Sequence, residues 1–304
     1  MAKKSVVVTE VDGHELELSN LDKVLYPDAH FTKAEVIDYY SRIAPVLLPH
    51  LKGRPLTLKR YPNGVDAPFF FEKQAPSHRP PWVTTTAIYS DSNHRDIDYV
   101  VVDSLATLVW VANLADLELH TTMAYAKTPQ QPTMVVFDLD PGAPAALREC
   151  CRVGLLVRDL LAGEGLEAYP KVSGSKGLQV YVPVNRPTTY DVTTPFAKSV
   201  ATRLEKDEPK LVVSKQKKEL RVGKVLVDWS QNVDSKTTVC VYSLRAKARP
   251  TVSMPLTWDE VATCAEDGDT AAITFDANDA LDRVAEVGDL FAPVLTKKQR
   301  LPKS

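Results

Sequence analysis

Two aspartates separated by a single residue end an apolar run in the segment Met134–Gly142 (MVVFDLDPG). The apolar residues predict a buried strand, and the Pro-Gly pair predicts its end. Side chains at positions i and i+2 of a strand lie on one face, so Asp138 and Asp140 are expected side by side. Two carboxylates this close repel each other unless a cation lies between them or one is protonated. The spacing therefore favours a site for Mg²⁺ or Mn²⁺, which prefer hard oxygen ligands.

Two alternatives compete for this acid pair. Aspartates ahead of a proline-started helix often cap that helix, which would make the pair structural. The run FDLDPG is also similar to the nucleophile motif of haloacid-dehalogenase phosphatases. That motif continues with Gly-Thr, whereas Pro141 and Gly142 follow here. It also requires a late pair of adjacent acids on a separate helix, and the candidates Asp267 and Asp269 fall in a predicted loop.

A third acid strengthens the metal interpretation. Asp228 ends another apolar segment, VLVDWSQN, and taken alone it predicts only a turn-capping acid. Three carboxylates at the ends of neighbouring strands can hold two divalent ions, which clamp the attacking and leaving oxygens of an in-line phosphoryl transfer. The three acids together therefore predict a two-metal centre.

A glycine-rich segment, Ser173–Gly177 (SGSKG), lies between these acids in the sequence. Its glycines permit close backbone approach, and the Ser173 hydroxyl and the Lys176 charge suit a triphosphate. Arg221 and Arg245, each flanking a predicted strand, are candidates for further phosphate contacts. The alternatives are an ordinary hairpin turn for the segment and an exposed surface position for each arginine.

The elements that position these residues predict a mixed α/β (α+β) fold, with a mixed central sheet and flanking helices. Thr32 and Glu35 form a capping-box pattern ahead of an amphipathic helix. Further helices are predicted in SLATLVWVAN, PAALRECCRVGLLVRDLLAG and TTPFAKSVATRLEKD. Strands are predicted in RPLTLKRYP, on both sides of SGSKG, in KVLVDWSQN and in TTVCVYSLR, with a hairpin at Asp12-Gly13.

Composition is that of an ordinary soluble globular protein, with 304 residues and a net charge of −2. No apolar stretch is long enough to predict a membrane span. The cysteines lack metal-ligand spacing and predict reduced, buried thiols; they are Cys150, Cys151, Cys240 and Cys264. Residues 210–224 carry six basic residues and one acid, a cluster that suits nucleic acid, although a solvated loop is the commoner explanation.

Six motifs resemble, in chain order, the polymerase domain of bacterial DNA ligase D in the archaeo-eukaryotic primase superfamily; they are SNLDKVLYP, KRYPNG with FFFEK, VVFDLDPG, SGSKGLQVYVP, VDWSQN and YSLR. The resemblance runs from Leu16 to the end of the chain and includes no ligase lysine motif. It implies a stand-alone primase-polymerase with an RRM-like catalytic core. That single domain would comprise a DNA-end-binding part at about 1–130 and a metal-binding core at about 131–304.

The resemblance also assigns roles to residues. The three acids would bind two Mn²⁺ or Mg²⁺ ions, and Phe70 and Phe71 would stack on the incoming base, although PFFFEK could instead fill a core. The other residues implied in nucleotide binding are Lys59, His120, Ser173, Lys176, Gln179, Arg221 and Arg245. A DNA 5′-phosphate would be bound by Asn20, Lys23 and Lys33. Gln179 stands where the family usually has histidine, so the grip on the γ-phosphate is expected to differ.

The implied function is template-dependent nucleotidyl transfer that prefers ribonucleotides and fills short gaps or extends ends, in non-homologous end joining or excision repair. The expected partners are NTPs, gapped or broken DNA that is preferably 5′-phosphorylated, Ku and a separate ATP-dependent DNA ligase. No membrane is involved, and the expected location is the bacterial cytoplasm at the nucleoid. The alternatives are a catalytically silent nucleic-acid-binding repair module and the phosphatase. A silent module would not require clustered carboxylates beside DNA.

Overall fold

The structure is a computed structural model that describes residues 6–91 and 93–302. The chain divides into two compact units. The first unit comprises the chain up to Thr122 together with Tyr242–Val252 and Phe275–Gly288. The second comprises Met123–Val241, Ser253–Thr274 and the chain from Asp289 onward.

In chain order, the strands are β1 (Val6–Val11), β2 (His14–Ser19), β3 (Val24–Tyr26), β4 (Phe31–Thr32), β5 (Pro55–Arg60), β6 (Phe70–Glu72), β7 (Thr85–Ser90), β8 (Arg95–Val101), β9 (Asp116–Thr121), β10 (Met134–Pro141), β11 (Tyr169–Val172), β12 (Leu178–Pro183), β13 (Val212–Val213), β14 (Val225–Asp228), β15 (Thr238–Val239), β16 (Leu244–Ala246) and β17 (Pro250–Val252). The α-helices are α1 (Lys33–Leu51), α2 (Leu105–Asn113), α3 (Leu147–Gly163), α4 (Tyr190–Asp207), α5 (Trp258–Asp267), α6 (Ala277–Val287) and α7 (Pro293–Thr296).

The first unit is built on an antiparallel sheet in the order β9–β5–β8–β7, with β6 also pairing with β5. Helix α1 begins at the predicted capping box, in which the Thr32 side chain accepts a hydrogen bond from the Glu35 amide. Its buried face carries Val36, Tyr40 and Ile43 at helical spacing. The Tyr40 hydroxyl donates to the Leu117 carbonyl at 2.8 Å, which ties the helix to β9.

The predicted hairpin at Asp12-Gly13 is confirmed, because β1 and β2 pair in antiparallel register around it. Asp12 has φ 50° and Gly13 has φ 74°. A two-residue turn with both positions left-handed matches the twist of the strands it joins.

The second unit is built on a mixed sheet in the order β11–β12–β10–β14–β13, in which only the β13–β14 pair is parallel. Helices α3 and α4 contact β10, the middle strand. The approach of α3 is close, since a Cβ at Gly154 would clash with the Leu178 side chain on β12. The predicted α/β class is confirmed, with the main strands divided between two sheets.

Two predictions about local structure are wrong. The segment TTVCVYSLR is not one strand: it contains β15 and the start of β16, and between them Tyr242 takes a left-handed φ of 64° that interrupts the extended backbone. Helix α3 begins at Leu147 rather than at the proline, and Asp138 and Asp140 lie within β10. The aspartates therefore do not cap that helix.

The predicted state of the thiols is confirmed, because all four cysteines are buried and none forms a disulfide. Within residues 6–91 and 93–302, no helix has both the length and the apolar character that a membrane span requires.

Candidate active site

The three acids lie on one face of the second unit's sheet. Asp138 on β10 is directly opposite Asp228 on β14. Asp140 lies two residues beyond Asp138 on the same strand and therefore points to the same face. Directly opposed side chains in antiparallel strands have Cβ atoms about 5 Å apart, so these carboxylates are neighbours. The sequence predicted a centre of all three acids, and the strand register places Asp228 beside Asp138.

Asp138 is half-buried and accepts a hydrogen bond from the Gln179 side-chain amide at 3.0 Å. Gln179 lies opposite it on β12, on the other side from Asp228. Burial raises the pKa of Asp138 to about 7, and the neighbouring charges of Asp140 and Asp228 add to the shift. The amide that replaces the usual histidine thus contacts a catalytic candidate directly.

Asp228 is buried and held by two residues of the turn after its strand, Ser230 and Gln231. Its Oδ1 accepts hydrogen bonds from the Ser230 amide at 2.8 Å and the Ser230 hydroxyl at 2.7 Å. Its Oδ2 accepts one from the Gln231 side-chain amide at 3.1 Å. The DWSQN motif therefore contains the acid together with the residues that fix its orientation.

The donor set fits divalent metal ions of the Mg²⁺ and Mn²⁺ type. Three neighbouring carboxylates provide hard oxygen ligands, and the raised pKa of Asp138 reflects in part a repulsion that a cation would relieve. Among the residues that the structure describes, no three His, Cys, Asp or Glu side chains form a group that could hold a metal ion as they stand. The acids therefore satisfy the chemistry of the site, and ligand convergence would require side-chain adjustment.

The SGSKG segment is the turn between β11 and β12. The Ser173 hydroxyl accepts hydrogen bonds from the amides of Ser175, at 3.3 Å, and Gly177, at 3.2 Å. A Cβ at Gly177 would overlap the Leu139 carbonyl, so the turn lies against the strand that carries the acids. Lys176 is exposed beside it. The predicted hairpin turn is therefore confirmed, and phosphate binding by Ser173 and Lys176 stays a prediction.

Arg221 belongs to the basic segment 210–224. Its guanidinium donates to the Gln216 backbone carbonyl at 2.5 Å and to the Gln216 side-chain oxygen at 2.7 Å. Gln216 in turn donates to the Ser230 hydroxyl at 3.3 Å, which connects the basic segment to the residue that orients Asp228. A Cβ at Gly142 would overlap the Arg221 carbonyl, so this segment packs on the end of β10.

The first unit brings together the other cationic candidates around one carboxylate, Glu118. Lys59 Nζ is 3.0 Å from Glu118 Oε1, while His120 Nε2 and Arg245 Nε are 3.0 and 3.2 Å from Oε2. Glu118 is opposite Lys59 in the β5–β9 register, and His120 lies two residues further along the same face. The register of these strands therefore explains why Lys59 and His120 converge on Glu118, and Arg245 reaches the same carboxylate from β16.

This cluster changes the acidity of its members. Burial alone would raise the pKa of Glu118, but the hydrogen bond from His120 and the charges of Arg245 and Lys59 hold its pKa far below the usual range. Burial lowers the pKa of His120, and the hydrogen bond to Glu118 offsets only part of that shift. Glu118 is therefore ionised and His120 largely neutral near pH 7.

The aromatic candidates lie on the surface of the same unit. Phe70 and Phe71 are 44% and 57% exposed, so they do not fill a core. Phe71 is opposite Lys59 in the β5–β6 register, and its ring contacts the His120 ring edge-on at 6.1 Å. Lys59 Nζ also lies 4.5 Å from the Phe69 ring centroid. An exposed aromatic ring thus borders the cationic cluster.

The three residues implied in 5′-phosphate binding line one cavity of about 590 Å³ in the first unit; they are Asn20, Lys23 and Lys33. Lys23 Nζ donates to the Pro62 carbonyl at 2.6 Å. Lys33 is buried rather than solvated, and its Nζ donates to the Ser19 carbonyl at 2.6 Å. Both lysines are therefore held in place by protein carbonyls.

Sequence reasoning missed Glu118, Ser230 and Gln231. Each could have been found from spacing: Glu118 precedes His120 by two positions in a predicted strand, and Ser230 and Gln231 come two and three positions after Asp228. The nucleotide-binding candidates fall into two groups. Lys59, Phe70, Phe71, His120 and Arg245 belong to the first unit, and Ser173, Lys176, Gln179 and Arg221 belong to the second.

Comparison with known proteins identifies relatives over most of the chain. The family described as LigD, primase-polymerase domain, matches residues 32–291. The multifunctional non-homologous end joining protein LigD of Mycolicibacterium smegmatis is 45% identical over 281 residues, which is 92% of this chain and 36% of that protein. The bifunctional non-homologous end joining protein LigD of Bacillus subtilis is 31% identical over 95% of this chain and 46% of its own length.

A solved structure agrees with these matches. The polymerase domain from Mycobacterium tuberculosis ligase D, in complex with DNA, superposes with a TM-score of 0.85 and is 42% identical. The match covers 92% of this chain and 98% of that domain. The chain spans less than half the length of the curated relatives it matches. On these grounds the chain belongs to the LigD primase-polymerase domain family.

Proposed function

We propose that this chain is a template-dependent nucleotidyltransferase of the primase-polymerase type. The observation that carries the proposal is the placement of Asp138 opposite Asp228, with Asp140 on the same face of the sheet. Carboxylates clustered this closely would repel a nucleic-acid backbone if binding were their only task, whereas phosphoryl transfer by two metal ions requires them.

The proposed reaction joins a primer to an incoming nucleotide. The primer 3′-hydroxyl attacks the α-phosphate, a new phosphodiester bond forms, and pyrophosphate leaves. Two divalent ions, Mn²⁺ or Mg²⁺, would be held by the three aspartates and would supply charge neutralisation at the reacting phosphates. Because little covalent chemistry falls to side chains, catalysis depends on positioning and electrostatics.

The remaining candidates bind and orient the substrate. Phe71, with Phe70 beside it, would stack on the base, and base–aromatic stacking is tolerant of sequence. By the resemblance, the candidates for holding the triphosphate and sugar are the cationic and polar residues Lys59, His120, Arg245, Ser173, Lys176, Gln179 and Arg221. The cavity lined by Asn20, Lys23 and Lys33 would take a downstream DNA 5′-phosphate.

The biological setting proposed is DNA repair. The curated relatives are named for non-homologous end joining, and the solved relative is described in complex with DNA. By this likeness the chain would act as one catalytic domain at the nucleoid, prefer ribonucleotides, fill short gaps or extend ends, and work beside Ku and a separate ATP-dependent ligase.

The test is primer extension on gapped duplexes with and without a downstream 5′-phosphate, with Mn²⁺ or Mg²⁺ and with NTPs or dNTPs. Wild-type protein should extend the primer, and Asp138→Asn should abolish extension while retaining DNA affinity. Asp282→Asn, at an exposed position on α6, is the matched control. Extension by Asp138→Asn would refute the assignment, and DNA binding by the wild type without extension would identify a silent binding module. Phosphate release from small esters without template would indicate the phosphatase.

A further inference from the structure

We propose that Glu118 is a positioning residue of the nucleotide site: its carboxylate holds Lys59, His120 and Arg245 in the arrangement that receives the nucleotide. This inference rests on the proposed function, because it assumes that those three side chains contact the substrate. Glu118 itself would not touch the nucleotide. Its side chain is 2% exposed, against 14–15% for its three partners.

Both oxygens of the carboxylate are used. Oε1 lies 3.0 Å from Lys59 Nζ and accepts hydrogen bonds from the Tyr61 hydroxyl at 3.3 Å and the Ala246 amide at 3.2 Å. Oε2 lies 3.0 Å from His120 Nε2 and 3.2 Å from Arg245 Nε. Every one of these five groups can act as a donor, so a residue with two acceptor oxygens is required.

The partners come from different strands. Lys59 lies on β5, His120 on β9 and Arg245 on β16. The positive charges of Lys59 and Arg245 repel each other at this separation, and the shared buried anion offsets that repulsion. The hydrogen bond from Nε2 also fixes the orientation of the His120 ring, which contacts Phe71 edge-on. One residue therefore sets the geometry of both the cationic groups and the aromatic border.

Glutamine is the informative replacement. It keeps the shape of the side chain but has one acceptor oxygen and an amide that donates, so a donor must face either Lys59 or the His120–Arg245 pair. Two opposite effects then compete for the nucleotide. The site gains one positive charge, which attracts a triphosphate, and it loses the arrangement of its contacts. We infer that the loss dominates, because a buried donor facing a donor displaces the side chains.

The experiment measures primer-extension kinetics and nucleotide affinity for Glu118→Gln in the full chain. We expect the KM for NTP to rise at least tenfold, with DNA affinity and the KM for primer unchanged. Asp116→Asn is the matched control. Asp116 is an equally buried carboxyl on β9 that accepts a hydrogen bond from the Lys59 backbone amide at 2.7 Å and forms no ion pair with the side chains of Lys59, His120 or Arg245. It should keep a wild-type KM for NTP.

Each outcome has a defined meaning. An unchanged or lower KM for NTP in Glu118→Gln would overturn the proposal, as would an equal rise in Asp116→Asn. If Glu118→Gln is too unstable to assay, binding of NTP to Glu118→Asp decides: this shorter carboxylate cannot span its partners, so wild-type affinity would also overturn the proposal.

Lys59→Ala and Arg245→Ala distinguish failure of the proposed nucleotide site from failure of the positioning role of Glu118. If neither weakens NTP binding, the proposed nucleotide site itself fails; if both do and Glu118→Gln does not, only the positioning role fails.

Discussion

Asp138 and Asp228 lie directly opposite each other on antiparallel strands of the second unit's sheet. Like charges placed in this way destabilise a sheet. The arrangement is consequently costly for the folded protein alone and favourable once a divalent cation binds. A metal site of this kind therefore has a signature in stability that a structural acid cluster lacks: the unliganded acids destabilise the fold, and a bound cation stabilises it.

The first prediction concerns that signature in Asp138→Asn. The pKa of Asp138 is raised to about 7 from a usual 3.8, so its ionised form reduces stability as pH rises, fully so above pH 7. At pH 8 without metal, the variant should be more stable than the wild type by roughly 1–2 kcal/mol, which discounts the shift for partial exposure. Mn²⁺ should then raise the melting temperature of the wild type but not of the variant. Thermal unfolding with and without Mn²⁺ measures both effects, and an equal rise in the two proteins would contradict the prediction.

The second prediction concerns Ser230→Ala. The lost hydroxyl donates to Asp228 Oδ1 at 2.7 Å, and a hydrogen bond to a charged group contributes about 1.5–3 kcal/mol. The rate of incorporation at saturating NTP should therefore fall about tenfold or more. Ser199→Ala is the control, because the Ser199 hydroxyl donates only to the Phe196 carbonyl within α4. Single-turnover kinetics provide the measurement; equal rates for the two variants would remove Ser230 from the site.

The division between predictable and unpredictable features follows from the range of the interactions. Asp138 and Asp140 could be paired from sequence because the period of a strand is local. The capping box at Thr32 and the turn at Asp12-Gly13 were predictable for the same reason. Asp228 could also be proposed from its place at the end of an apolar segment, but its position opposite Asp138 could not, because the register between β10 and β14 has no local signal.

Spacing could have paired Glu118 with His120, but it could not have placed Lys59 and Arg245 around the same carboxylate. Its importance depends on the pairing of β9 with β5 and on the approach of β16, which is distant in the chain. The failed strand prediction at TTVCVYSLR has a similar origin, because alternating apolar residues favour a strand while the backbone at Tyr242 turns left-handed. The burial of Lys33 was not predicted either, because a lysine at the start of a helix is normally exposed.

The third prediction concerns the cavity that contains Lys23 and Lys33. Replacing both with alanine should erase any preference for 5′-phosphorylated gaps, and Lys23→Ala alone should reduce the salt dependence of binding by about one phosphate contact. The measurement is fluorescence anisotropy on gapped duplexes with and without the 5′-phosphate, over a salt series. Lys52→Ala, at an exposed position after α1, should leave the preference intact. A preserved preference in the double variant would make both lysines structural.

The fourth prediction is a pH dependence of stability that arises from His120. Its pKa is lowered by burial from a usual 6.5, so below that pH the unfolded chain binds a proton that the folded chain does not. Stability should therefore rise with pH across this window and fall on acidification from pH 7 to 5. His120→Gln removes the titrating group, and urea unfolding at pH 5, 6 and 7 should show a smaller slope for it. Parallel slopes for the two proteins would show that His120 keeps its ordinary proton affinity in the fold.

The fifth prediction concerns Phe71→Leu. The ring is 57% exposed and borders the cationic cluster, so its loss should cost the stacking contribution of about 1–3 kcal/mol without unfolding the sheet. The KM for NTP should rise about tenfold to a hundredfold, and by similar factors for all four bases, because every base presents a π face. Tyr89→Leu, at an aromatic position of the same unit that is 59% exposed, is the matched control. A base-dependent change would indicate edge recognition in place of stacking, and equal effects of the two variants would show that Phe71 has no special contact with the nucleotide.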